Sequence, residues 1–159
     1  MHPNAQRIEK FYEAFGRRDA AAMIACYHPD VEFSDPVFGE LRGARAGAMW
    51  QMLCARAKDL RVEARDVGAD DRLGQAHWDA WYTFSATGRQ VHNAIDAEFE
   101  FRDGLIIRHH DHFDLWRWSR QALGLTGVLL GWSSVVREKV KRRAATGLEQ
   151  FIEAERIAG

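Results

Sequence analysis

Apolar residues recur at helical spacing near the start of the chain. Ile8, Phe11, Tyr12 and Phe15 share one face of a stretch from Ala5 to about Phe15, with Asn4 placed to cap it. The spacing predicts a second short helix from Asp19 to about Tyr27, carrying Met23, Ile24 and Tyr27 and stopping before Pro29. DVEFSDP then alternates as a short strand, with Val31 and Phe33 on one side. FGELRG reads as a turn, and ARAGAMWQMLCARAK as a third helix carrying Met49, Trp50 and Leu53.

Beyond Leu60 the period changes from that of a helix to that of a strand. LRVEARDVGA, GQAHWDAWYTFSA, VHNAIDAEFEFR and LIIRHHDHFDLW all read as strands, with Thr87-Gly88 and Asp103-Gly104 as hairpin signals between the last three. Helices first and an antiparallel meander afterwards imply an α+β domain, its N-terminal helices packed on one face of a curved antiparallel sheet. From Ser133 onward Val136, Val140, Ala144, Leu148 and Ile152 step by four along a further helix, where capping-type spacing beside Gly147 suggests a break. This extension, residues 126–159, is expected to pack on the 1–125 domain or on a partner.

Two-residue loops at both hairpins would set a definite register. Trp78 would face Ala97, Ile95 would face His112, and Asn93 would face Asp114. Side chains alternate with period two. His110, His112 and Asp114 would therefore share the helix-covered face with Trp78, Tyr82, Asn93 and Phe99. His109 and Asp111 would point outward, with Asp111 directly opposite Asp96, a pairing tolerable only in water.

Composition narrows the partners. Net charge is −1, which gives no global electrostatic case for nucleic acid or an anionic membrane. REKVKRR, which alternates with valine, reads as a solvated helix face. Cys26 and Cys54 have no metal-ligand spacing and read as small buried residues, and no signal-peptide-like or membrane-spanning run is visible. A cytoplasmic protein is the expectation. The six tryptophans suit either a thick core or an aromatic-lined pocket.

The chemistry-bearing stretch is RHHDHFDLW, residues 108–116. A carboxylate beside an imidazole fixes the ring tautomer, so Asp114 with His112 could do acid/base work. Asp35, held before Pro36, could reach the same space, where apolar surroundings would raise its pKa toward neutrality. Two other readings stay open: a mutually satisfied buried polar pair, and a metal site. The metal reading is disfavoured because alternate strand residues lie ~6–7 Å apart and no helical HxxxH spacing exists.

The segment from RIEKFYEAFGRRDAAAMIACYHPDVEFSDPVFGELRGARAGAMW, followed by FEFRDGLIIRHHDHFDLWRWSRQALG, resembles the nuclear transport factor 2-like superfamily, and best its SnoaL-like and ketosteroid isomerase-like branch. The resemblance spans about residues 5–125. It implies a cone-shaped α+β half-barrel around a deep apolar cavity, a homodimer through the convex sheet face, a hydrophobic small-molecule ligand, and no metal or organic cofactor. SDPVFG puts Asp35 where the isomerases carry their proton-shuttling aspartate. Asp114 before RQALG matches an acid/base aspartate of the cyclases. Two positions depart from the isomerase pattern, because its tyrosine falls on Phe11, beside Tyr12, and its carboxylic acid on Ala97. His110 is the expected replacement donor. The resulting expectation is a cofactor-independent isomerase, cyclase or hydrolase, or a non-catalytic binding module of the same fold. Asp35, Asp114, His112 and His110 would be its catalytic residues, and Tyr12, Tyr27, Trp50, Trp78, Tyr82, Asn93 and Phe99 would contact the ligand.

Overall fold

The strand-like half of the chain forms one curved six-stranded sheet. A computed structural model describes residues 1–125 and 133–158. The elements run α1 (Pro3–Gly16), α2 (Ala20–Ala25), β1 (Tyr27–Asp35), β2 (Gly39–Arg42), α3 (Ala44–Arg56), β3 (Arg61–Ala69), β4 (Leu73–Phe84), β5 (Arg89–Arg102), β6 (Leu105–His112), α4 (Leu115–Leu123) and α5 (Ser134–Ala158). Strand order is β2-β1-β6-β5-β4-β3, antiparallel except where β1 runs parallel to β6. The predicted α+β architecture is the observed one.

Several boundaries moved. Helix α1 starts earlier than expected, with Pro3 in its first turn and His2 accepting the Asn4 N–H at 3.0 Å. Asn4 lies inside the helix, and its amide instead holds the carbonyls of Asp70 and Asp71. Asp19 is the N-cap of α2, accepting from the Ala22 N–H. Most of FGELRG is strand β2 rather than a turn, because Asp35 folds the chain back before it. Its Oδ1 accepts the N–H groups of Val37 and Phe38 at 2.9 and 2.6 Å, and Asp35 then pairs with Gly39.

The inner face of the sheet is covered by Tyr12 and Phe15 of α1, whose rings meet Trp78 and Phe99, and by Trp50 of α3, which meets Phe33, Phe11 and Phe15 edge to face. Both cysteines are buried and free. Helix α5 is continuous through Gly147, so the expected break is not there. Leu148 is sealed in the core, Phe151 and Ile152 pack against it, and Glu149 pairs with Arg45 of α3. Arg137, Lys139, Lys141, Arg142 and Arg143 are exposed, as the solvated-face reading expects. Leu148→Ala should cost about 3 kcal/mol. Denaturant unfolding would register the loss, and hydrogen exchange should place it first in α5; an unchanged midpoint would show that α5 contributes nothing to the fold. No described helix is long and apolar enough to cross a membrane.

Both hairpin registers differ from the simplest ones, with opposite consequences. The β4–β5 loop holds four residues, so Phe84 rather than Ala86 pairs with Arg89, and Trp78 faces Ile95. A shift of two keeps every side chain on its expected face. The β5–β6 turn is the two-residue loop expected, with Asp103 and Gly104 at φ +56° and +74°. One step beyond it, however, β6 carries a bulge. Phe101 pairs with Ile106 but Glu100 pairs with Arg108, leaving Ile107 as the extra residue. That single residue turns over everything after it.

Candidate active site

The bulge reverses the expected orientation of RHHDHFDLW. His109 pairs with Phe99 and Asp111 with Ala97, so both point inward, at 0% and 3% exposure. His110 and His112 sit opposite Glu98 and Asp96 and point outward. There His112 contacts Glu98, the His110 ring meets Ser34 Oγ, and the two imidazoles lie 4.1 Å apart. Partial burial and the neighbouring His112 lower the His110 pKa. Neither can be the inner catalytic histidine, because a strand face is fixed by parity. Asp114 is not on the sheet at all. It is exposed and caps α4, accepting the Arg117 N–H at 3.1 Å.

The inner face holds a continuous polar chain within the aromatic core. Trp50 Nε1 donates to Tyr27 Oη at 2.8 Å, and Tyr27 Oη meets His109 Nδ1 at 2.8 Å. His109 Nε2 meets Asp111 Oδ1 at 2.9 Å, and Trp78 Nε1 donates to the same oxygen at 3.3 Å. Phe11, Phe33 and Phe99 surround the imidazole, and the Trp50 ring lies parallel to it. Burial, first of all, holds the Tyr27 hydroxyl well above the usual phenol range. Tyr27 and Trp50, expected to contact ligand, have both polar atoms committed to this chain.

Four further groups face the same region. The Tyr12 hydroxyl is buried with no hydrogen-bond partner among the described residues; burial together with the Asp111 charge raises its pKa strongly, and the Trp78 side chain opposes the rise. Asp35 shares the inward parity of Val31 and Phe33 along β1. The residue keeps partial exposure, yet its carboxyl is deep enough that burial pushes its pKa up to about 7; the Phe38 N–H opposes this and the Asp111 charge adds to it. Tyr82 accepts from Trp118 Nε1 at 2.7 Å, and burial moves its phenol up to about 12, with Asp35 contributing. Asn93, on the inner face opposite Ala80, is half-buried.

Helix α4 closes this end of the sheet. Strand β6 ends at His112, opposite Asp96, leaving the β5 edge open beyond it. Gln121 covers that edge, its Oε1 accepting the His92 N–H at 2.8 Å and its Nε2 donating to the His92 carbonyl at 3.0 Å. Leu115, Trp118 and Ala122 join Val91 in a second apolar cluster. Two open recesses are present, the first sharing Tyr82 with the region just described. One, of about 400 Å³, is lined by Arg61, Trp81, His92 and Gln121 among others, and one of about 360 Å³ lies between α3 and α5. Among the described residues no three His, Cys, Asp or Glu side chains are arranged to hold a metal ion.

Sequence reasoning missed His109 and Asp111 as inner residues, although one signal pointed to them. The unbulged register opposes Asp96 to Asp111, like charges on adjacent strands. The bulged one pairs Asp96 with His112 and Glu98 with His110.

A curved sheet wrapped by N-terminal helices, with carboxyls, a histidine and tyrosines on its inner face, defines the nuclear transport factor 2-like class. Residues 8–109 match the SnoaL-like domain model, and the chain belongs to that family. Similar solved structures include a nuclear transport factor 2-like protein of unknown function from Burkholderia pseudomallei, 21% identical over 77% of this chain and 98% of that one, with TM-score 0.66. A candidate polyketide cyclase from Xanthomonas campestris is 26% identical over 75% and 98%, with TM-score 0.61. An LEH-like epoxide hydrolase from M. tuberculosis is 20% identical over 84% and 95%, with TM-score 0.60. No curated protein matches the chain.

Proposed function

We propose that the protein is a cofactor-independent acid/base enzyme acting on a hydrophobic, oxygen-bearing small molecule, by isomerisation, aldol-type cyclisation or hydrolysis such as epoxide opening. One observation carries the reading: Asp35, pushed to about 7, faces the same region as the His109-bound Asp111. Two carboxyls in unlike surroundings can divide acid and base roles. Asp35 holds and moves the proton, while Asp111 Oδ1 is held between Trp78 Nε1 and His109 Nε2. The Tyr12 hydroxyl, without a partner among the described residues, supplies a donor for a substrate oxygen. Tyr82, Trp78, Asn93 and Phe99 surround the ligand. The charged and histidine-bearing outer face is where a second copy docks.

A non-catalytic binding module of the same fold is the second reading. It is favoured by the close aromatic packing of the inner face. Carboxyl carbon NMR separates the two. The acid/base reading expects Asp35 to titrate near 7, and Asp35→Asn and Asp111→Asn each to abolish turnover on any accepted epoxide or β-dicarbonyl probe. An Asp35 midpoint near 4 with no turnover of any such probe would leave the binding module, and full activity in both variants would overturn these two carboxyls as the acid/base pair.

A further inference from the structure

We propose that Tyr27, oriented by Trp50, is a positioning residue that locks His109 in its Nε2–H tautomer and keeps that proton aimed at Asp111. The inference rests on the acid/base reading of Asp111 and adds to it a group that touches no substrate.

Counting donors fixes the direction of the chain. An indole nitrogen only donates. Trp50 Nε1, 2.8 Å from Tyr27 Oη, therefore makes that oxygen an acceptor. A phenol has a single O–H, and its other close contact is His109 Nδ1 at 2.8 Å. With the proton directed there, Nδ1 must be the unprotonated nitrogen. The proton of the neutral ring then lies on Nε2, 2.9 Å from Asp111 Oδ1. Every group is satisfied, and every bond points toward the carboxylate. Reversing the chain would protonate Nδ1 and leave the Tyr27 O–H without an acceptor inside a site where Tyr27 is 6% and His109 0% exposed. Parallel packing of Trp50 on the His109 ring, at 16° and 6.0 Å between centroids, opposes rotation of the imidazole.

Asp111 favours the same tautomer, so its own contribution must be silenced. Asparagine does this, because its side-chain amide can either accept from or donate to Nε2. The experiment is long-range proton–nitrogen NMR of histidine-labelled protein in Asp111→Asn and in Asp111→Asn/Tyr27→Phe. His109 should stay more than about 90% Nε2–H in the single variant and fall toward an even mixture in the double variant, a roughly tenfold change in the tautomer ratio. The Trp50 indole proton should shift in Tyr27→Phe alone. The other histidine resonances report that each variant is folded. A switch to Nδ1–H in Asp111→Asn, or an unchanged ratio in the double variant, would overturn the proposal. Neither result depends on turnover, so it stands or falls separately from the Asp35 titration.

Discussion

Replacing Asp35 by asparagine should stabilise the folded protein at pH 8, leave its stability nearly unchanged at pH 4, and abolish proton transfer. Burial raises the carboxyl to about 7 from an ordinary 3.8. Between those values the folded state holds a proton that the unfolded chain has released, so stability falls as pH rises through the window. Below about 4 both states are protonated and no penalty exists. Above about 7 the folded chain carries a desolvated carboxylate, and the full cost applies. At 1.36 kcal/mol per pKa unit that cost is at most about 4 kcal/mol, and partial exposure of the residue reduces it. Asparagine keeps an acceptor for the Val37 and Phe38 N–H groups, so the turn into β2 survives. Urea unfolding of both proteins from pH 4 to 9 checks this. Parallel stability curves would show that Asp35 is not the shifted group.

The second large effect separates two substitutions of Asp111. Alanine removes the carboxyl oxygen that accepts from both His109 Nε2 and Trp78 Nε1, leaving two donors unpaired in a closed site. Breaking a buried charged partner in this way should cost roughly 3–5 kcal/mol. Asparagine can still accept through its amide oxygen and should lose less than about 2 kcal/mol. Activity should vanish in both, which makes the asparagine variant the cleaner probe of chemistry. Asp111→Asn should also lower the Asp35 pKa, because a nearby negative charge disappears. That fall stays short of the ordinary value, since burial is the larger cause. Denaturant midpoints give the first comparison, and an Asp35 titration in the variant gives the second. Equal stability loss in the two variants would mean the hydrogen bonds contribute little.

Much of the fold was legible in residue order. Period-3.6 runs marked the three N-terminal helices and the Val136–Ile152 stripe, and period-2 runs marked β3 to β6. Asp103-Gly104 specified its turn, because both residues tolerate positive φ. Asp35 was legible too: it follows Val31 and Phe33 in strict alternation, and its acceptor side chain before Pro36 makes a turn. Hairpin length at Thr87-Gly88 was read wrongly at no cost to the faces.

The local chain determined which residues are strand, which are helix, and that one face of the sheet is aromatic. It could not determine which half of RHHDH belongs to that face. Alternation can be read only where apolar and polar positions differ, and five consecutive polar residues carry no such contrast. Ile106 and Ile107, both apolar, equally conceal the bulge between them. Tertiary structure decided it. β6 must pair with β5 on one side and β1 on the other while the sheet curves, and the bulge at Ile107 accommodates that bend. With it, His109 and Asp111 complete hydrogen bonds to Tyr27 and Trp78 inside the core, while His110 and His112 meet Ser34 and Glu98 outside. Those partners lie 14 to 82 residues away in sequence, so their pairing exists only once the chain has folded.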